Sequence, residues 1–366
     1  MGKKMCRNKR IQLWLSSLIL LLSGVLFFSS TAVADETDSG MGFSVSPILP
    51  TTQIDLDLGY YYLKTEPNKE QTIEVKLSSQ KDEKQTIEMF VQDAYTGSNG
   101  GLTYGLDGED DFKQDETLVN PTSQIVLPKT ETIELQPREE KVVSFTVKPP
   151  VDSYDGVKIG RLVFKPTVDK DNKTAIVDEY QYAISILLSE SGDEHTNGEL
   201  ANLNLNEVKP TIKRGKRLVT ANLQNPEPKR MMGIDLQGTV TKKGSDKVVK
   251  QTKISDFQFA PNSNVDLEVD WGLSELSPGE YTMTILAKNS YDDIHLTKDF
   301  RITGDEAKSL NKESAFKINT PTWVKAVAIS SAFLSLILAI IISVRNSKWK
   351  KLAKRRKKNK KRNKRH

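Results

Sequence analysis

"VKIGRLVFKPTVDKDNKTAIVDEYQYAISILLSE" (residues 157–190) decides the fold. It opens with a β-rich apolar run and then turns polar around Asp171-Asn172-Lys173. It closes with Tyr180, Tyr182, Ile184, Ile186 and Leu188 at strict alternation. Two strand-like apolar runs joined by a polar turn are the pattern of a β-hairpin. The same period runs outward in both directions. It marks Ile73, Val75 and Leu77, then Ile87, Met89 and Val91, then Val143, Phe145 and Val147. Beyond a polar linker, "ESGDEHTNGE" (190–199), it resumes at Val219, Ala221 and Leu223 and at Ile234 and Leu236. It continues through Val265, Leu267, Val269 and Trp271 to Tyr281, Met283 and Ile285. No helical period is visible before residue 326. Many short strands with turns between them give an all-β class: two immunoglobulin-like β-sandwich domains in tandem, followed by one C-terminal transmembrane helix. In "FSVSPILPTTQIDLDLGYYYLK" (43–64), Pro47 and Pro50 exclude a helix and confine the first strand to a sheet edge or a bend.

The two ends place the chain in a cell. Residues 1–34 combine five Lys/Arg, an apolar run from Ile11 to Phe28, and small residues at Ala32 and Ala34. That is a secretory signal with cleavage after Ala34; the long apolar run leaves an uncleaved anchor as the alternative. Residues 326–344 are free of charge and long enough to cross a bilayer, with Trp323 and Trp349 at the flanks. The tail, 345–366, holds fourteen Lys/Arg and no acid, so the positive-inside rule keeps it in the cytoplasm. Residues 304–322 read as a polar stalk. The formal charge of +5 therefore hides an acidic exterior: residues 35–325 carry 34 Lys/Arg against 48 Asp/Glu, a net −14. Such a surface repels nucleic acid and anionic lipid. Cys6 is the one cysteine and lies in the signal. A disulfide-free exported β protein with one membrane anchor fits a Gram-positive bacterium.

Chemistry-bearing sets do not assemble. His195 falls in the linker, His295 in a strand and His366 in the tail, and no G-x-S-x-G accompanies them, so both external histidines read as ordinary surface residues. Clustered His and Cys for zinc are missing, and no cofactor motif occurs. Asp55 and Asp57, and the acidic run 107–111, read as solvated loops before they read as a calcium site or a glycosidase pair. "LPKTE" (127–131) lies mid-domain, unlike a wall-sorting signal, and the single "WGL" (271–273) places Trp271 on a core face. Tyrosines remain. Tyr60, Tyr61, Tyr62, Tyr95 and Tyr104 are the candidate contacts for peptidoglycan or a partner, because aromatic rings pack on sugars and dominate protein interfaces. Alternation sends part of the 60–62 run into the core. Tyr95 and Tyr104 bracket a long glycine-rich loop of the kind that carries function.

The stretches "FSVSPILPTTQID", "GYYYLKTEPNKEQTIEVKLSS", "DAYTGSNGGLTYG", "LQPREEKVVSFTVKPP", "DGVKIGRLVF" and "YAISILLSE", with the C-terminal span and basic tail, resemble the WxL-interacting protein family of Gram-positive bacteria. The resemblance covers nearly the whole mature chain. It implies a peptidoglycan-binding domain over 43–165 and a host-protein-binding domain over 175–303. It also implies partnership with surface proteins bearing paired Trp-x-Leu motifs. The hairpin pattern moves the structural boundary: the strand in 176–189 completes the first sandwich and the second begins near 198. The expected function is a non-catalytic, membrane-anchored surface scaffold or adhesin that binds peptidoglycan, WxL-type proteins and host proteins. The alternatives are a wall-remodelling glycosidase and an exported chaperone.

Overall fold

The structure is a computed structural model and describes residues 42–106, 113–167, 180–317 and 321–362. The signal, the acidic run 107–111, the turn at 171–173 and the last four residues lie outside the described residues. The chain divides into two compact units. Unit 1 comprises Met1–Ala94, Tyr104–Gln114 and Leu118–His195; unit 2 comprises Tyr95–Thr103, Asp115–Thr117 and Thr196–His366.

In unit 1, β1 (Phe43–Ile48), β3 (Gln71–Ser79), β8 (Glu140–Val147) and β6 (Val126–Pro128) form one antiparallel sheet in the order β1-β3-β8-β6. The proline-bearing β1 is an edge strand, as its missing N–H requires. After Pro50 the chain leaves that sheet and lies beside the other one. Thr52 accepts from Lys64 N at 3.0 Å, and Ile54 N donates to Tyr62 O at 2.8 Å. The second sheet runs β2 (Tyr61–Lys64), β10 (Tyr182–Ser189), β9 (Val157–Pro166), β4 (Gln85–Thr96), β5 (Leu102–Gly105), with β7 (Thr132–Leu135) also on β4. The pair β9 and β10 is antiparallel, with Ile184 opposite Leu162 and Ile186 opposite Gly160, while β2 joins β10 in parallel. A four-residue helix, α1 (Thr122–Ile125), precedes β6.

Alternation sorts the side chains. Ile73, Val75, Leu77, Phe145 and Val147 from one sheet meet Tyr61, Leu63, Ile87, Leu162, Phe164, Ile186 and Leu188 from the other in one core. Phe145 and Phe164 cross it edge to face, with ring centroids 5.8 Å apart. Burying a side chain of this size stabilises the fold by roughly 1.5–3 kcal/mol.

In unit 2, a 3-10 turn (Leu200–Asn202) leads into β11 (Asn204–Lys213), β12 (Lys216–Asn225), β13 (Met231–Lys242), β14 (Val248–Phe259), β15 (Ser263–Asp270), β16 (Gly279–Lys288) and β17 (Asp293–Ile302). They form sheets β11-β12-β15 and β14-β13-β16-β17, which close over Val219, Leu223, Leu236, Val240, Leu267, Trp271, Met283 and Ile285. Trp271 packs edge to face on Tyr281 at 6.0 Å and donates Nε1–H to Glu275 O, so the "WGL" tryptophan is a core residue.

Two expectations need correction, the stalk and the surface placing of His195. Helix α2 (Gly304–Glu313) occupies most of the expected stalk, so the chain is helical before the membrane-length span. Thr303 caps it: its hydroxyl accepts from Glu306 N while the Glu306 carboxylate accepts from Thr303 N. Ala307 is buried in the core, Leu310 packs against it, and Asn311 exchanges two hydrogen bonds with the Leu276 backbone. His195 is a buried residue, 6 % exposed, with φ +48° and Nε2 at 3.0 Å from Ser191 Oγ. The glycine-rich loop is folded through Thr103 into unit 2. Gly100, at φ +87°, approaches Phe257 so closely that a Cβ would lie 2.6 Å from the ring. Finally, α3 (Thr322–Arg362) is one helix of 41 residues, with an apolar stretch of membrane-spanning length. It continues through much of the basic tail, since Lys and Arg are good helix formers.

Candidate functional site

The outer face of the unit 1 sheet β2-β10-β9-β4-β5 gathers the chemistry. Each strand that points Leu63, Leu188 or Leu162 into the core points its neighbours the other way. There Tyr62, Ala94, Val157, Ile159 and Leu187 form a second, smaller apolar cluster, with Leu58, Tyr60 and Tyr104 packed against it. Arg161 extends the row along β9. Its guanidinium carbon lies 5.0 Å from the Tyr104 ring centroid, and its Nε–H donates to Gln92 Oε1 at 2.7 Å. Arginine over a tyrosine face is held by the ring quadrupole as well as by packing.

Three of the five expected tyrosines thus meet on one surface. Tyr60 is half-buried and packs against the main core as well as this outer cluster. Tyr62 is almost wholly buried and donates its hydroxyl to Gly192 O at 2.8 Å; burial, and then the Glu194 and Asp193 charges, push its pKa up to about 12. Tyr104 is half-buried under Arg161. Tyr61 points the other way, fully buried in the main core, and donates to Glu74 O at 2.6 Å. Burial raises its pKa far above the ordinary phenol value. Tyr95 belongs to a segment of unit 2. Sequence reasoning passed over Arg161 and Gln92. Their signal was present: both sit at outward positions of apolar strands, directly opposite each other in the β4–β9 register.

Half-buried aromatic faces beside a guanidinium suit a sugar ring carrying acyl or carboxylate groups, while the buried Gln92 holds that guanidinium from below. The buried ionisable residues of unit 1 serve its backbone instead. Asp93 accepts from Ser123 N at 2.9 Å and from Ser123 Oγ at 2.5 Å, and Lys158 Nζ donates to Val119 O at 2.6 Å. Burial raises the Asp93 pKa and lowers that of Lys158. Ser191, near His195, accepts from Asp193 N and thereby shapes its own loop. Among the described residues no cluster of His, Cys, Asp and Glu has the form of a metal site.

Among solved structures, the chain is similar to the chaperone–tip adhesin pre-assembly complex of the archaic Csu pili of Acinetobacter baumannii. The identity is 12 %, the TM-score 0.30, and the match covers 70 % of this chain and 97 % of that one. It is similar also to the E. coli chaperone DraB, at 12 % identity and TM-score 0.27, covering 71 % and 98 %. Comparison with curated proteins gives no match. Two family models do match: the WxL Interacting Protein peptidoglycan binding domain over residues 43–166 and the WxL Interacting Protein host binding domain over 171–312. Together they span most of the chain in that order, and the chain belongs to the WxL-interacting proteins.

Proposed function

We propose that this chain is a non-catalytic, single-pass membrane protein of the Gram-positive surface. Unit 1 grips peptidoglycan, and unit 2 holds WxL-type surface proteins and host proteins. The observation that carries the reading is the order of parts: a peptidoglycan-binding family match, a host-binding family match, and then a helix with an uncharged apolar stretch of membrane-spanning length leading into basic sequence. The glycan contact is the outer face bearing Tyr60, Tyr104 and Arg161, with Gln92 holding the guanidinium beneath it. Both units belong to the immunoglobulin-like class of sandwiches. The apolar helix crosses the bilayer with the basic tail inside, because translocating fourteen cationic side chains is prohibitively unfavourable. A tether confines unit 1 to a thin shell of wall, where weak glycan contacts add up.

The test is sedimentation of the detergent-solubilised chain with purified peptidoglycan. Wild type is expected in the pellet. A Tyr60→Ala, Tyr104→Ala double variant is expected to lose at least about tenfold in retention, as two aromatic contacts would, while still unfolding cooperatively. Wild type that stays in the supernatant overturns the wall-binding half of the proposal.

A further inference from the structure

One end of unit 2 is tied together at a single buried cation. The β11–β12 hairpin turns at Arg214 and Gly215, both in the left-handed region at φ +50° and +72°. Just inside the turn, Arg217 is 2 % exposed. Its Nη2 donates to Leu273 O at 3.1 Å and to Phe316 O at 2.6 Å. Gly215 O accepts from Ser314 Oγ at 3.0 Å and from Ala315 N at 2.9 Å. The guanidinium thus fixes three separate stretches: the hairpin turn, the loop after Trp271, and the strap after α2. Burying a charge to hold backbone carbonyls is costly and marks a position that must be kept.

What this knot holds in place is two large apolar side chains turned outward. Leu273 is 56 % exposed and Phe316 47 %. Around them stand Arg214, Lys216 and Lys317. Arg214 is paired with Glu268, and Lys216 lies 3.5 Å from Asp270. The surroundings are therefore close to neutral and offer long aliphatic stems with polar ends.

Chain length names the occupant. Phe316 and Trp323, where the apolar helix begins, are seven residues apart. Fully extended, those seven residues reach at most about 25 Å. We infer that Leu273 and Phe316 enter the outer leaflet of the bilayer at headgroup depth, so that unit 2 is seated directly on the membrane and does not stand off on a stalk. The Arg214, Lys216 and Lys317 stems lie along the same interface. The inference rests on the reading that the apolar helix spans the membrane.

The test uses the full chain on a Cys6→Ser background, reconstituted into phosphatidylcholine vesicles with and without phosphatidylglycerol. A polarity-sensitive NBD dye is placed on Leu273→Cys. The control is Tyr291→Cys, 87 % exposed in the β16–β17 turn. Expected is a blue-shifted emission at 273, with several-fold stronger quenching by doxyl-labelled lipid than at 291. Both lipid mixtures should give it, because the contact is apolar. Phe316→Cys should repeat the result. A dye at 273 as wet as that at 291, in chains that resist carbonate extraction, overturns the seating while leaving the anchor intact. Extraction by carbonate overturns the anchor and the inference with it. Shielding that follows protein density and ignores lipid quencher assigns the tip to a second copy and also overturns the inference.

Discussion

Asp93 shows how a single residue carries a measurable signature of unit 1. Burial raises its pKa, opposed in part by the hydrogen bonds from Ser123. The folded chain therefore keeps this proton at a pH where the unfolded chain has released it. Its contribution to stability is greatest below the ordinary carboxylate range and falls as pH rises through the folded pKa. Asp93→Asn should flatten the fall in Tm that this group contributes as pH rises above the ordinary Asp value of about 3.9. An unchanged slope would show that the carboxyl is not desolvated as described. At this scale the tyrosine run was half legible. Alternation requires Tyr61 and Tyr62 to face opposite ways, and they do, whereas Tyr60, just before the strand, packs against both clusters. Alternation does not say that a neighbouring loop will accept the Tyr62 hydroxyl and take that ring out of reach, as Gly192 does.

Among the elements, β10 is where family boundary and structure diverge. The second family match begins at residue 171, yet Tyr182–Ser189 pairs along its length with Val157–Phe164 of unit 1. Its inward residues Ile184, Ile186 and Leu188 belong to the unit 1 core. A fragment ending at 166 loses all three, at roughly 2–5 kcal/mol for each large aliphatic removed. Fragment 43–166 should therefore lack the cooperative urea transition of fragment 43–195; matching transitions would refute the assignment of this strand. The β9–β10 hairpin was readable because Tyr182, Ile184, Ile186 and Leu188 alternate strictly after an apolar β-type run and a polar turn. Helix α2 was not, because only Ala307 and Leu310 of its ten residues are apolar and reach the core. Its evidence lies in the Thr303–Glu306 capping box, a signal of about 1 kcal/mol that is easily lost among polar residues. In the glycine-rich loop the packing partner was not readable: glycine permits close approach of backbone to any surface, and here that surface is Phe257.

On the scale of the whole molecule, a peptidoglycan-binding family match, a host-binding family match and a helix of membrane-spanning length continued by basic sequence follow one another along the chain. The claim on which the rest depends is that unit 1 meets peptidoglycan through the face that carries Tyr104 and Arg161. Photocrosslinking tests it most directly. A benzoylphenylalanine at position 104, and another at Val142, which is 51 % exposed on the outer face of the opposite sheet, would be irradiated in the full chain bound to purified peptidoglycan. The account predicts muropeptide adducts from position 104 and none from 142. Adducts from 142 with none from 104 would contradict it.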